Sequence, residues 1–530
     1  MGNALRAIAI ALGYTTLALA WLVEPLINPR HDAIYHWSGD VSALFGPVVV
    51  MVLLLWALVA LALLTAQRPG FWRTAEWAAL LLTVPTAIIR DAQLIWPNVL
   101  PAWLHPPRMW VMAAAWLLLV VLWWRFPSKR GEQVIDFAST VLSFTALSGL
   151  LFMGQLLWCW WQARGLNTSP PPRSELSATG AASQSPRIIW IVLDELSYQQ
   201  LYERRYPDLA LPAFDSLAAE STVFTHVIPT ANFTEMAIPA LLSGAPIDHV
   251  RSTARGQLLV YSKRSGWKLF DERNTVFQDA ENFGYPTDLV GWYNPYCRML
   301  PAVLERCYWT DDYTDSNGLA ADGTFESNLL TPVSSMLGRH DTLRHVLDRI
   351  FGIEIRGSNS VKLHILDYQN LSKEGDMALL DRSAALTFLH LPIPHPGGIY
   401  DRKTATLTTG YSTYMDNLAL ADSYLAQVRS LLEKTGQWDS STVIVMGDHG
   451  WRTSLLWKTL PGWTSDEEKA SADGPFDDRP AYIVKLAGQR TNERIDHPFK
   501  AIRTRKLVDA LMKQEIQTPA DLESWVAQTD

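Results

Sequence analysis

Five stretches, roughly residues 7–27, 42–66, 77–95, 109–124 and 134–162, are long runs of apolar residues, and nothing comparable follows residue 163. A helix needs about 20 such residues to cross a bilayer. The pattern predicts five membrane spans. The fourth, "MWVMAAAWLLLVVLWW", is short but carries no charge. The third holds Arg90 and Asp91 near its end, and a buried core helix is its alternative. The pattern then changes. Residues 165–187, "GLNTSPPPRSELSATGAASQSPR", lack apolar periodicity and are rich in Ser, Pro, Thr and Gly, the composition of a linker. Beyond it the apolar runs shorten to strand length. "IIWIVL" at 188–193 and Val443–Met446 are continuous and rich in Ile and Val, as strands buried on both faces are. Between them lie helical stretches such as "YMDNLALADSYLAQVRSLLEKTG", whose Gly436 fits a helix C-terminus. Helix, loop and buried strand in this order predict an α/β fold with a mostly parallel sheet flanked by helices. The expected parts are an α-helical transmembrane bundle at 1–163, a linker at 164–186, a soluble domain at 187–495 and a mainly helical tail at 496–530.

Charge orients the spans. Arg6, Arg68, Arg73, Arg125, Lys129 and Arg130 fall in alternate segments, which the positive-inside rule places in the cytoplasm. Arg30 and Arg108 lie in the opposite loops, and Arg164 follows the last span. Five crossings then put everything after residue 163 outside. The expected location is the inner membrane with a periplasmic soluble domain. Trp123, Trp124, Trp158, Trp160 and Trp161 crowd span ends as an interfacial belt would. A cleaved signal peptide is the alternative for the first span, and it leaves the later topology unchanged.

Composition adds two points. The net charge of −8 gives no footprint for nucleic acid. Of three cysteines, Cys297 and Cys307 both fall in the soluble domain, where an oxidising compartment would let them pair; two buried thiols are the alternative. Cys159 lies in a predicted span and reads as a small apolar residue.

Candidate chemistry stands where the buried strands end. The first runs into Asp194-Glu195, and the second into Gly447-Asp448-His449-Gly450. Ligands of open α/β sheets bind beyond the carboxyl ends of the strands. Acid and imidazole side chains there offer ligands to a divalent cation. Asp194-Glu195 alone also suits a helix cap or turn. Between the two motifs lies "NFTEMAIPALLSG", with Thr234 at its head. Threonine there is a natural N-cap. The same position, at the positive end of a helix beside unbonded N–H groups, would also stabilise an alkoxide and bind an oxyanion. Cap and nucleophile are compatible at this position, and the residues alone leave both readings open.

"IVLDE", then "TEMAIPALLSG", then "VIVMGDHG" resemble, in this order, the sulfatase-like branch of the alkaline phosphatase superfamily. Thr234 lies ten residues before Gly244, the spacing of that family's nucleophile. The resemblance covers about 187–490. Five spans before an outward catalytic domain also resemble lipid A phosphoethanolamine transferases and lipoteichoic acid synthases. The resemblance implies an alkaline-phosphatase-like domain holding one divalent metal ion, Mn, Mg or Zn. Its ligands would be Asp194 or Glu195 with Asp448, His449 and Thr234. It implies a phospho-threonine intermediate, and a substrate-binding or proton-transferring histidine in "FLHLPIPHPGG", His395 before His390. Arg298, in "CRMLPAVLERC", would face phosphate or merely lie in a stapled loop. Threonine cannot yield the formylglycine of sulfatases, which turns the expectation from sulfate to phosphate esters. The expected activity moves a phospho-headgroup from a membrane lipid donor to a glycan or lipid acceptor. A phosphodiesterase or phosphatase-type hydrolase and a silent envelope-assembly protein are the alternatives.

Overall fold

The computed structural model describes residues 2–28, 33–65, 71–95, 114–121, 129–166, 187–253, 255–311, 325, 328–329, 360–460, 462–471 and 476–528. Half of the fourth predicted span and nearly all of the predicted linker lie outside these residues. The chain forms two compact units: 1–34, 41–166 and 322–355 make one, and 35–40, 167–321 and 356–530 the other.

In the first unit, helices Asn3–Ile27, Val41–Thr65 and Glu132–Ala163 are long and apolar enough to cross a membrane. The third predicted span is helical over Phe71–Ile95. Large apolar side chains face outward, Leu58, Phe144 and Leu151 among them. Water penalises such a surface and a bilayer does not. Two glycines let helices meet closely. A Cβ at Gly13 would stand 1.8 Å from Leu142 O, and one at Gly149 would stand 2.3 Å from Thr16 Oγ1.

The second unit is built on an eight-stranded sheet. Its centre is parallel, in the order Ser441–Gly447, Arg187–Leu193, Leu386–Leu391, Thr287–Trp292 and Arg306–Thr310. Tyr482–Lys485 adds antiparallel to Ser441–Gly447. Strand Arg187–Leu193 shows why its sequence is apolar throughout. Ile188, Trp190 and Val192 enter the core on one face of the sheet, and Ile189, Ile191 and Leu193 the core on the other. Helix Tyr414–Lys434 covers the second core through Leu418, Leu425 and Val428, and Gly436 follows it at φ +69°. The C-terminal segment packs into the same unit: Leu507, Leu511, Leu522 and Val526 join the first core. Segment 35–40, which precedes the second membrane helix in sequence, also belongs here; Tyr35 lies in the first core.

Candidate active site

Parallel strands end at one edge, and that edge gathers the chemistry. Asp194 follows the first strand, Asp448-His449 the strand beside it on one side, and His390 lies near the end of its other neighbour. Helix Thr234–Ser243 brings its first turn to the same place. Its cap is Phe233, whose backbone is extended. Thr234 is the first helical residue, so the expectation that it caps the helix is corrected. Its hydroxyl is occupied elsewhere: Oγ1 donates to Asp194 Oδ2 at 3.0 Å and lies 3.3 Å from His449 Nε2.

Local bonds aim the neighbours. Asp448 Oδ1 accepts from the backbone N–H groups of Glu195, at 3.0 Å, and His449, at 2.9 Å. That leaves Oδ2 facing the site, 3.2 Å from His449 Nε2. His449 Nδ1 faces Gly450 O at 3.0 Å and must donate to it, so the Nε2 lone pair points at Thr234. His390 Nδ1 lies 2.7 Å from the Tyr296 hydroxyl, and its Nε2 lies 3.7 Å from Asp194 Oδ2.

Adjacent acids part here. Glu195 has φ +62°, a left-handed backbone that costs a non-glycine residue about 1 kcal/mol. The turn sends its carboxylate away from Thr234. Arg452 takes that carboxylate through Nε, at 2.8 Å, and through Nη2. Trp457 Nε1 donates to it at 3.0 Å, and Tyr414 OH donates to Glu195 O at 2.7 Å. Glu195 thus stands as the ion-pair partner of Arg452. His395 stands with this second group: its Nε2 lies 3.5 Å from Arg452 Nη2 and 4.0 Å from Glu195 Oε1. The ligand atoms of Asp194, Glu195 and His395 also lie close enough to hold an ion. The Arg452 guanidinium already fills the cation's place there.

The residues fit a metal in the first group. Ligand atoms of Asp194, Asp448 and His449 lie within 4.8 Å of one another. Asp194 Oδ1, Asp448 Oδ2 and His390 Nε2 are buried and have no hydrogen-bond partner among the described residues. Buried polar atoms left so are costly, and a cation would satisfy them. Charge agrees. Asp194, Glu195 and Asp448 are all buried against one buried guanidinium. The imidazoles do not help: burial pushes His390 down to about 4. Burial and then the Arg452 charge push His449 down to about 3, and the same two causes hold His395 well below its ordinary value. Without a cation, burial and then the Asp448 and Glu195 charges hold the Asp194 carboxyl well above its usual range; burial also raises Asp448. Asp194, Asp448, His449 and the Thr234 hydroxyl are the residues that would hold the ion.

Arg298, expected at phosphate, is placed elsewhere. Burial lowers its guanidinium to about 10, and it donates to the carbonyls of Tyr35 and Trp37. Cys297 and Cys307 form a disulfide with a Cα–Cα distance of 5.6 Å. It staples the loop that carries Tyr293 and Tyr296. Segment 35–37 grips the same loop: Tyr35 OH donates to Asn294 Oδ1 at 3.0 Å, and His36 Nδ1 lies 3.1 Å from Tyr293 O. Tyr293, at φ +71°, donates through its hydroxyl to Glu235 at 2.9 Å, next to the nucleophile candidate. Arg452, Tyr296 and Tyr35 were missed in the sequence. Arg452 stands two residues beyond "DHG" and was within reach. Tyr35 is 259 residues from Asn294 and carries no local signal.

No family model and no curated protein sequence matches this chain. Solved structures are similar to it at low identity. The lipoteichoic acid synthase LtaP from Listeria monocytogenes is 14% identical over 65% of this chain and 75% of that one, with a TM-score of 0.36. The phosphonate monoester hydrolase of Agrobacterium radiobacter is 12% identical over 62% and 73%, with a TM-score of 0.35. A protein in the alkaline phosphatase superfamily from Vibrio parahaemolyticus is 14% identical over 63% and 67%, with a TM-score of 0.34. Likenesses of this size assign neither activity nor substrate.

Proposed function

We propose that the protein is a metal-dependent phosphotransferase at the outer face of the membrane. It moves a phospho-headgroup from a lipid donor to a glycan or lipid acceptor through a phospho-threonine intermediate. One observation carries this reading: the Thr234 hydroxyl, in the first turn of a helix, bonds to Asp194 beside the His449 lone pair and two carboxylate oxygens without a hydrogen-bond partner among the described residues. A hydroxyl so placed suits nucleophilic attack on phosphorus. Thr234 Oγ attacks phosphorus, its proton passes to Asp194 Oδ2 and on to the departing lipid oxygen, and the donor's P–O bond breaks to release that lipid as its alcohol. An acceptor hydroxyl then attacks the phospho-threonine and gives up its proton, which returns to the Thr234 oxygen as the Thr–O–P bond breaks. His395 Nδ1 faces Pro396 O at 2.8 Å, which makes its Nε2 the proton-accepting atom for that second step. A divalent cation, when bound, acts as a Lewis acid that lowers the hydroxyl pKa and offsets phosphate charge.

Two facts support an outward site. The Cys297–Cys307 disulfide suits an oxidising compartment. Segment 35–40 belongs to the same compact unit as Thr234 and Asp448, which favours a common side of the membrane for that loop and the site. That agrees with an inside N-terminus and an odd number of spans.

Mass spectrometry of the purified full-length protein after incubation with phospholipids tests the mechanism. A phosphate-containing adduct on Thr234, absent from Thr234→Ala, is the expected result. Turnover that survives in Thr234→Ala removes the nucleophile. Headgroup label recovered in water rather than in a glycan or lipid makes the protein a hydrolase. Absence of both metal binding and turnover makes it a silent assembly protein.

A further inference from the structure

A three-stranded antiparallel sheet follows the Thr234 helix in sequence: His249–Ser252, Leu258–Ser262 and Gly266–Leu269. Its register sorts the side chains. His249, Tyr261 and Trp267 pair across the strands, as do Arg251, Leu259 and Leu269. These six share one face, because strand side chains alternate. The opposite face holds Leu258 and Val260, which are buried in the core.

The outer face has an unusual composition for a surface in water. Trp267 is 41% exposed and Leu269 51%. The Tyr261 and Trp267 rings lie 5.4 Å apart, His249 lies 5.7 Å from Tyr261, and the Arg251 guanidinium stands 4.7 Å over Trp267. Cations surround this slab. From His249 to Phe270 the chain carries Arg251, Arg255, Lys263, Arg264 and Lys268 and no acidic residue, although the whole protein has a net charge of −8. All five are exposed. Lys268 pairs with Val260 and so belongs to the opposite face, and the neighbouring Asp248 carboxylate accepts from the Lys263 N–H at 2.8 Å. Lys263 and Arg264 stand at the hairpin tip, where Gly266 takes φ +67°.

We propose that this face docks the catalytic unit on an anionic phospholipid surface. Tryptophan and tyrosine favour the headgroup layer, where ring and N–H or O–H are both accommodated. Leu259 and Leu269 would enter the acyl boundary beside them. Each basic residue near an anionic leaflet adds about 1 kcal/mol. Aliphatic side chains among the aromatics favour a lipid over an acidic polysaccharide, which would use the rings and cations alone. The helices of the first unit already hold the chain at a bilayer, so docking there needs no second encounter. The proposal is independent of the activity proposed above.

The test uses the full chain in liposomes, with Cys159→Ala and Leu269→Cys labelled by an environment-sensitive fluorophore and the Cys297–Cys307 disulfide intact. In liposomes of three parts phosphatidylcholine to one part phosphatidylglycerol, the emission should shift to the blue. Lipids carrying a nitroxide at the headgroup should quench it at least twofold more than in phosphatidylcholine alone. Reversing the exposed charges in Arg251→Glu/Lys263→Glu/Arg264→Glu should abolish the difference while the thermal midpoint holds. Equal emission in the two lipid compositions overturns the proposal. So does a probe that responds to a soluble acidic polysaccharide and not to phosphatidylglycerol.

Discussion

Asp194 and Glu195 are neighbours in the chain and serve different partners in space. The left-handed backbone at Glu195 separates them, and Arg452 and Trp457 hold the result. Their variants should therefore fail in different ways. Asp194→Asn should weaken binding of Mn, Mg or Zn at least tenfold, read by calorimetric titration, with little change in the metal-free thermal midpoint. Glu195→Ala should instead destabilise the fold by about 3–5 kcal/mol, because it leaves the Arg452 guanidinium buried and unpaired. The same residues set a pH dependence. Burial raises the carboxyls of both Asp194 and Asp448, and the ion binds their ionised forms. Protons compete with the ion as pH falls, so metal affinity should be weaker at pH 6 than at pH 8. Equal affinities at the two pH values would place the ion elsewhere. At this scale the motifs were legible: Asp194, Thr234, Asp448 and His449 meet as their spacing suggested. Which adjacent acid turns inward was not, because it depends on one backbone angle and on an arginine 257 residues away.

Among the elements, the loop Tyr293–Met299 stands between the site and the rest of the unit. Toward the site it offers Tyr293 to Glu235 and Tyr296 to His390. From behind, Tyr35 and His36 hold it, and the disulfide staples it. Tyr35→Phe keeps the ring in the core and removes only the hydroxyl. It should lower kcat several-fold with KM unchanged, while the thermal midpoint moves little. Amide hydrogen exchange over 293–299 should rise in the same variant. Replacing both Cys297 and Cys307 by serine should cost roughly 2–3 kcal/mol, the entropy of a loop this short, measured by denaturant unfolding of the full chain. The strands were readable from continuous apolar runs, since a strand covered on both faces has no polar positions to interrupt it. The helix start at Thr234 was misread. Threonine's preference for the cap position gave way to a tertiary demand on its hydroxyl, which Asp194 and His449 engage.

For the whole molecule, the apolar runs foretold a membrane part and a separate α/β part; the structure has three helices long and apolar enough to cross a membrane and a unit built on a mostly parallel sheet. If the proposed topology holds, a membrane-impermeant thiol reagent applied from outside should label cysteines placed at residue 38 and on the catalytic surface alike. Labelling of one without the other would break the link between segment 35–40 and the catalytic unit. Residues 496–530 looked like a tail because they carry no chemical signature. The segment is mainly helical, and its apolar positions complete a core face; deleting it from Thr504 onward should leave the unit unable to fold, seen as loss of soluble-domain signal in circular dichroism. What the sequence determined by itself was local: span lengths, buried strands, and motif residues at strand ends, all set by a few neighbouring residues. What only the tertiary structure decided was long-range: the inward choice of Asp194, the burial of Arg298 against Tyr35 and Trp37, and the grip of Tyr35 and His36 on the loop Tyr293–Met299. Those depend on side chains hundreds of residues apart meeting in a low-dielectric interior, where each buried charge and hydroxyl must find a partner.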